Sequence, residues 1–325
     1  MLVVVSVDME GASQLRNVRE IFGCFPEYWQ TGKPRLEADV AGACEGLLAG
    51  GASELVVIDN HGGNTVNVSS AALPTGARLQ TWRDFDLRDR GVDAMFQVGY
   101  HPRGGVDGFL SHTYVPGLRL RVDGELVSES HGRVWASGLR TLGITGNDRH
   151  HQTLGSLSEV PFLVTQKSIG RSSMSPIWDA PEDGRAALRE FAEQCLRDAA
   201  SAAPAGEPRD VTFEASMPNG REVADQLLDA GWTRSGEVEF SAQLGSWLEA
   251  RELLAAAMEA ALVPFMPYWI GSFDSAEDAA AADEQRLERF RLLFDAWADE
   301  SQPEWYTEAA DPLPGGFTDR LMLAS

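Results

Sequence analysis

The sequence predicts an α/β fold, a mostly parallel sheet flanked by helices, followed by a second, smaller α+β domain and a C-terminal extension. Three observations carry that prediction. The run from Val3 to Val7 is almost wholly β-branched and reads as a buried parallel strand. A segment with helical spacing and another apolar run follow it, in βαβ order. Polar residues then stand directly after one apolar run after another, where the strand ends of an open α/β sheet would gather them.

The first strand delivers Asp8, Met9, Glu10 and Gly11 at its C-terminal end. Arg35 to Leu48 carries apolar residues at helical spacing and stops at Gly50 and Gly51, a helix C-cap pattern. Glu54 to Asp59 is the next strand and runs into Asn60, His61, Gly62, Gly63 and Asn64. Ala94 to Val98 leads to Gly99, Tyr100 and His101, Gly108 to Leu110 to Ser111 and His112, and Leu142 to Thr145 to Gly146, Asn147 and Asp148. A strand from Phe162 to Gln166 precedes Lys167 to Arg171, and Asp183 to Ala203 reads as a long helix. Proline and glycine at residues 203–208 mark a linker. Strands at Asp210 to Ala215 and Gly236 to Ala242 and a helix from Leu244 to Leu262 make the small unit, and a tail with Trp269, Trp297, Trp305 and Tyr306 among many acids follows. The expected division is an α/β metal-binding catalytic domain over 1–204, an α+β domain over 205–265 and an acidic, aromatic extension over 266–325.

Composition narrows the function classes. No segment approaches the roughly 18 uninterrupted apolar residues of a membrane span, and the N-terminal residues lack a basic leader, so a cytoplasmic protein is expected. Cys24, Cys44 and Cys195 are an odd, widely spaced set without a CxxC pair, which argues against a disulfide framework or a cysteine zinc site. A net charge of -22 repels phosphate backbones and anionic membrane surfaces, so neither nucleic acid nor a membrane is an expected partner.

All six histidines, His61, His101, His112, His131, His150 and His151, fall between residues 61 and 151. Such clustering at strand ends points to one site, since histidine is the commonest metal ligand and the usual acid or base near neutral pH. Asp8 and Glu10, two apart in extended chain, face the same side and form a claw for a cation. Mixed nitrogen and oxygen ligands suit zinc first, with manganese or cobalt as alternatives, and more than four such ligands can hold two ions. The chain has no GxSxG elbow, no P-loop and no HExxH motif, so the nucleophile of a hydrolase here would be metal-bound water.

At these residues the sequence resembles the D-aminopeptidase (DppA) family of metallopeptidases. The matching words are Ser6 to Gly11, Asn60-His61, Gly99 to His101, Ser111-His112, Ser128-Glu129 and Lys167 to Arg171, in the family's order over residues 1 to about 175. The resemblance implies two zinc ions bridged by Asp8, one completed by Glu10 and His101 and the other by His61 and Glu129. It implies His112 as the catalytic residue, a small peptide or amide substrate, and a homo-oligomer, a decameric ring. Ser130, His131, Gly132 and Arg133 depart from the family pattern, which leaves Glu125 as a rival to Glu129, and His131 has no counterpart. Lys167 and Arg171 match a basic pair that would hold a substrate carboxylate or a developing oxyanion, or else form a structural ion pair. Asp148 would orient a ligand histidine or cap a helix.

The expected function is therefore dizinc-dependent cleavage of an amide bond in a small peptide or amide, with D-amino acids a family trait. Two alternatives stay open: a dimetal phosphoesterase or esterase, and a non-catalytic metal-binding ring.

Overall fold

A computed structural model of the chain describes residues 1–21, 25–61, 67–80, 91–114, 118–131, 139–170, 173–199, 211–217, 220–221, 223–244, 253–254, 256–258 and 260. These residues form two compact units: 1–102, 108–110 and 129–208 in one, and 103–107, 111–128 and the chain from 209 onward in the other.

The first unit holds a seven-stranded sheet. Its strands are β1 (Leu2–Val7), β2 (Glu54–Asp59), β3 (Ala77–Gln80), β4 (Ala94–Tyr100), β7 (Arg140–Asn147), β8 (Phe162–Ser168) and β9 (Met174–Pro176), in the order β3-β2-β1-β4-β7-β8-β9. All neighbours pair in parallel except the β8–β9 hairpin. The expected mostly parallel sheet is thus present. Val3, Val4, Val5 and Val7 on β1 and Leu55, Val56, Val57 and Ile58 on β2 are fully buried, the signature of strands covered on both faces. Chain order reverses between β1 and β4, and a ligand crevice is expected beyond the carboxyl ends of strands at such a switch point.

Helix α1 (Pro26–Ala49) links β1 to β2. It begins well before Arg35, the first residue of the expected helical segment, and passes through Pro34. It stops as expected, with the Gly50 and Gly51 amides donating to Gly46 and Leu48. A short helix α2 (Asp148–Gln152) is capped by Asn147, whose side chain accepts from the Arg149 amide; Asp148 instead accepts from the Ser168 amide at 2.8 Å. Helix α3 (Pro181–Asp198) packs against α1. Residues Gly108 to Leu110 form a turn rather than the expected strand: Leu110 has φ +47, and the Phe109 amide bonds to Ser168 Oγ at 2.9 Å instead of entering a ladder.

The second unit is built on an antiparallel sheet of order β11-β12-β10-β5-β6, from β5 (Arg119–Val122), β6 (Glu125–Leu126), β10 (Val211–Ser216), β11 (Thr233–Arg234) and β12 (Glu239–Leu244), with helix α4 (Ala224–Asp229). Its core includes Leu120, Phe213, Leu227, Trp232 and Phe240. This sheet draws β5 and β6 from inside residues 1–204. The linker at 203–208 and the extension over 266–325 lie outside the described residues. Among the described residues no helix is long and apolar enough to cross a membrane.

Candidate metal centre

The site begins with how closely two strand ends approach. Beyond β1 the chain stays against β4: the Asp8 amide donates to Val98 O at 2.8 Å and the Gly11 amide to Gly99 O at 2.7 Å. A methyl group on Gly11 would lie 2.2 Å from Tyr100 O, and one on Gly99 would lie 2.2 Å from Asp8 O. Gly99 also has φ +77, a conformation open to glycine at little cost. The two glycines let the Asp8–Glu10 segment and His101 share one strand edge.

Four of the five expected ligands come from three parallel strand ends, Asp8 and Glu10 after β1, His61 after β2 and His101 after β4; Glu129 opens the segment after β6. The structure brings all five together. His61 Nδ1 stands 3.0 Å from Glu10 Oε2 and 3.6 Å from Asp8 Oδ1. His101 Nε2 stands 3.4 Å from Asp8 Oδ2 and 3.4 Å from Glu129 Oε1. Among the described residues of the first unit, two triplets have potential ligand atoms mutually within 4.8 Å, Asp8 with Glu10 and His61, and Asp8 with His101 and Glu129. Asp8 is common to both. Within this unit Glu10 offers ligand atoms within 4.8 Å of those of both His61 and His101, and Glu129 lies with His101.

Hydrogen bonds fix which nitrogen each histidine presents. His61 Nε2 meets Ile21 O at 3.2 Å, and His101 Nδ1 meets Pro102 O at 2.9 Å. A carbonyl can only accept, so each of these nitrogens carries its proton and donates it. The opposite nitrogens face the carboxylates, the arrangement that orients metal-binding imidazoles.

Electrostatics make the cluster a site for cations. Burial pushes the Asp8 carboxyl up to about 8, with the neighbouring Glu10 charge adding to the effect. Burial opposes the charge on Glu10 as well, but His61 holds its carboxyl well below the usual carboxylate range. For His101 burial disfavours the imidazolium, and the hydrogen bond to Glu129 with the charges of Glu10 and Asp8 overcomes this, carrying its pKa up to about 10. His61 is raised well above the ordinary value in the same way, Glu10 outweighing burial. Protons thus supply positive charge that a divalent cation would otherwise provide. Asp8 Oδ2 is buried and takes no hydrogen bond among the described residues, an acceptor left over for a cation. Three carboxylates and two imidazoles are donors that fit zinc.

Residues beyond the expected set hold this cluster. Asp39 of α1, buried and with its pKa pushed up to about 7 by desolvation, accepts from both the amide and the hydroxyl of Ser13 at 2.6 Å, anchoring the chain just past Glu10. Gln166 of β8 donates to Glu10 O, and Thr165 to Gly11 O at 2.6 Å. Asp59 accepts from the amides of His61 and Asn67, shaping the turn after β2. The sequence offers no signal for the Asp39 and β8 anchors, because their partners lie 26 to 156 positions away along the chain.

His112 is half-buried and lies in the second unit, as does Glu125 on β6. Lys167 is exposed on β8, paired through its backbone with Ser175. Arg171 lies outside the described residues. His131 is buried and meets Leu154 O at 2.8 Å, while His151 stacks on Phe162 at a centroid distance of 4.7 Å.

A family model described as D-aminopeptidase matches residues 1–256. Curated proteins give no match. Among solved structures, the Zn-dependent D-aminopeptidase DppA from Bacillus subtilis, described as a self-compartmentalizing protease, superposes with a TM-score of 0.69 at 21% identity, over 81% of this chain and 98% of that one. At that identity the likeness speaks for the fold.

Proposed function

The chain belongs to the D-aminopeptidase family and is a metal-dependent hydrolase; on that premise we propose that it removes an N-terminal residue from a small peptide or amide at a two-zinc centre. The observation that carries this reading is the carboxylate of Asp8, shared between two sets of buried ligand atoms. The matched solved structure is described as zinc-dependent, which supports zinc, and its name as a D-aminopeptidase supports a substrate with a D-residue.

Asp8, Glu10, His61, His101 and Glu129 would hold the ions, His61 through Nδ1 and His101 through Nε2. Bound zinc supplies Lewis acidity, polarising a carbonyl and lowering the pKa of water from roughly 15.7 towards about 7. Burial of the five side chains excludes bulk water and strengthens each charge they present. Ile21 O and Pro102 O keep the two imidazoles in the tautomers that leave the required lone pairs free. His112, which the family resemblance makes the catalytic residue, would carry the proton to the departing amine. Lys167 and Arg171 would meet the substrate carboxylate. The self-compartmentalizing description of the matched structure supports a homo-oligomer, with a decameric ring as the form the resemblance implies, and a cytoplasmic setting agrees with the composition.

The test is to load the protein with zinc and screen D- and L-aminoacyl amides, short peptides and phosphate esters. Amide turnover that disappears in Asp8→Asn is expected. Turnover of phosphate esters alone, or amide turnover undiminished in Asp8→Asn, overturns the proposal.

A further inference from the structure

A chain of polar and aromatic side chains, buried except for half-buried Asn60, links residues next to the proposed ligands and supplies no ligand atom itself. Asn60 Nδ2 donates to Ser6 Oγ at 2.7 Å. Ser6 Oγ lies 2.6 Å from the Tyr100 hydroxyl. The Tyr100 ring stacks on His150, with centroids 6.3 Å apart and planes 25° from parallel. His150 Nε2 lies 2.8 Å from Ser130 Oγ. The order of these contacts matters because every member except His150 lies within two residues of a proposed ligand along the chain. Asn60 precedes His61, Tyr100 precedes His101, Ser130 follows Glu129, and Ser6 lies two residues before Asp8 on the same strand.

His150 is the member that joins the histidine-bearing strand ends to the segment carrying Glu129. It is wholly buried, and Phe162 closes its other side with its ring edge-on at 5.6 Å. Burial drives its pKa well below the ordinary histidine value, so it is neutral and carries one proton. Its Nδ1 is buried without a hydrogen-bond partner among the described residues. A bare acceptor nitrogen costs less there than an orphaned N–H, so the proton sits on Nε2 and is donated to Ser130 Oγ. The Ser130 carbonyl is held as well, by Gln97 Nε2 at 3.1 Å. Glu129, Ser130 and His131 form a helical turn after the two-residue β6, and these two bonds hold that turn at the residue next to Glu129.

We propose that His150 is a positioning residue of the metal centre, aiming Glu129 through Ser130 and His101 through Tyr100. The inference rests on the reading of Glu129 and His101 as ligands. It gives a role to a histidine that lies outside the ligand cluster, and it treats Ser130, a departure from the family pattern, as part of the local support for Glu129.

Cobalt(II) titration followed by visible absorption tests this on the full chain, with His150→Phe, His150→Gln and Ser130→Ala beside the wild type. Phenylalanine keeps the stack and loses the hydrogen bond; glutamine restores an Nε2 donor. His150→Phe and Ser130→Ala are expected to weaken cobalt binding by about 10- to 100-fold, the usual effect of removing an outer partner of a ligand, and to alter the cobalt bands. His150→Gln is expected to recover most of the affinity, and combining His150→Phe with Ser130→Ala is expected to add little to either alone. Wild-type cobalt affinity and bands in His150→Phe overturn the role of His150. Should that variant fail to fold, unchanged bands and affinity in Ser130→Ala overturn it equally. A wild-type protein that takes up neither cobalt nor zinc overturns the reading of the site itself, a different result from a loaded wild type beside unaffected variants.

Discussion

Asp8 Oδ2 lies 3.4 Å from His101 Nε2, although the two residues are 93 positions apart and sit at the ends of different strands, β1 and β4, that pair in parallel. The other oxygen of the same carboxylate faces His61 Nδ1 at 3.6 Å. One carboxylate thereby touches two imidazoles through opposite oxygens, the arrangement expected of a bridge between two cations.

Replacing that bridge separates function from folding. In Asp8→Asn, kcat/KM for an amide substrate is expected to fall by more than about 100-fold, the upper range for losing a mere outer partner of a ligand. The thermal midpoint of the metal-free variant should not fall, because burial already keeps the Asp8 carboxyl protonated to about pH 8 and its charge adds nothing favourable there. Steady-state kinetics with calorimetry in EDTA checks both; a large loss of metal-free stability would speak against the electrostatic account.

Stability without metal should decline as pH rises. The folded pKa values of His101, about 10, and Asp8, about 8, are both raised above the ordinary values of 6.5 and 3.8. A raised folded pKa contributes stability that is complete below the unfolded value and lost as pH climbs through the folded one. The metal-free midpoint is therefore expected to drop between pH 7 and pH 10, while zinc affinity rises over the same interval because ligands release protons on binding. Melting curves in EDTA across that range decide; a midpoint that climbs with pH would contradict the prediction.

His112→Ala is expected to keep its zinc and lose about 10²- to 10⁴-fold in kcat, the range for removing a proton-transfer group. Metal analysis of the purified variant beside its kinetics gives the answer. Loss of zinc together with activity would make His112 a ligand instead.

Gly99→Ala is expected to destabilise the protein by about 2–4 kcal/mol, from overpacking against Asp8 O together with strain at a positive φ. Zinc uptake by the surviving folded fraction should weaken too, because the added methyl pushes on the backbone of a ligand residue. Denaturant unfolding and metal titration measure the two effects, and an unchanged midpoint would show that the β1–β4 approach is slack.

The parts of this site that could be read from sequence are those where one strand supplies both signals. Asp8, Glu10, His61 and His101 each follow an apolar run closely enough that strand, end and ligand are visible together. Glu129 is legible only through the family resemblance, since the two residues of β6 are too few to show a period. The clustering of histidines was informative, but its members divide in the structure. His61 and His101 face the carboxylates, His131 and His150 bond to a carbonyl and a serine, and exposed His151 stacks on Phe162. Which of these a histidine does depends on chain brought in from 20 or more residues away, as with Ser130 and Leu154, and spacing carries no trace of that. The turn at Phe109 departs from the expected strand for the converse reason: three apolar-flanked residues satisfy a short pattern, yet the Phe109 amide finds Ser168 rather than a neighbouring strand.

The most direct test of the two-zinc centre is diffraction from zinc-loaded crystals at the zinc absorption edge, with metal content measured on the same preparation. Two anomalous peaks about 3.5–4 Å apart, one on each side of the Asp8 carboxylate, are the expected result. Protein that holds no zinc, or zinc bound without Asp8, would contradict the account.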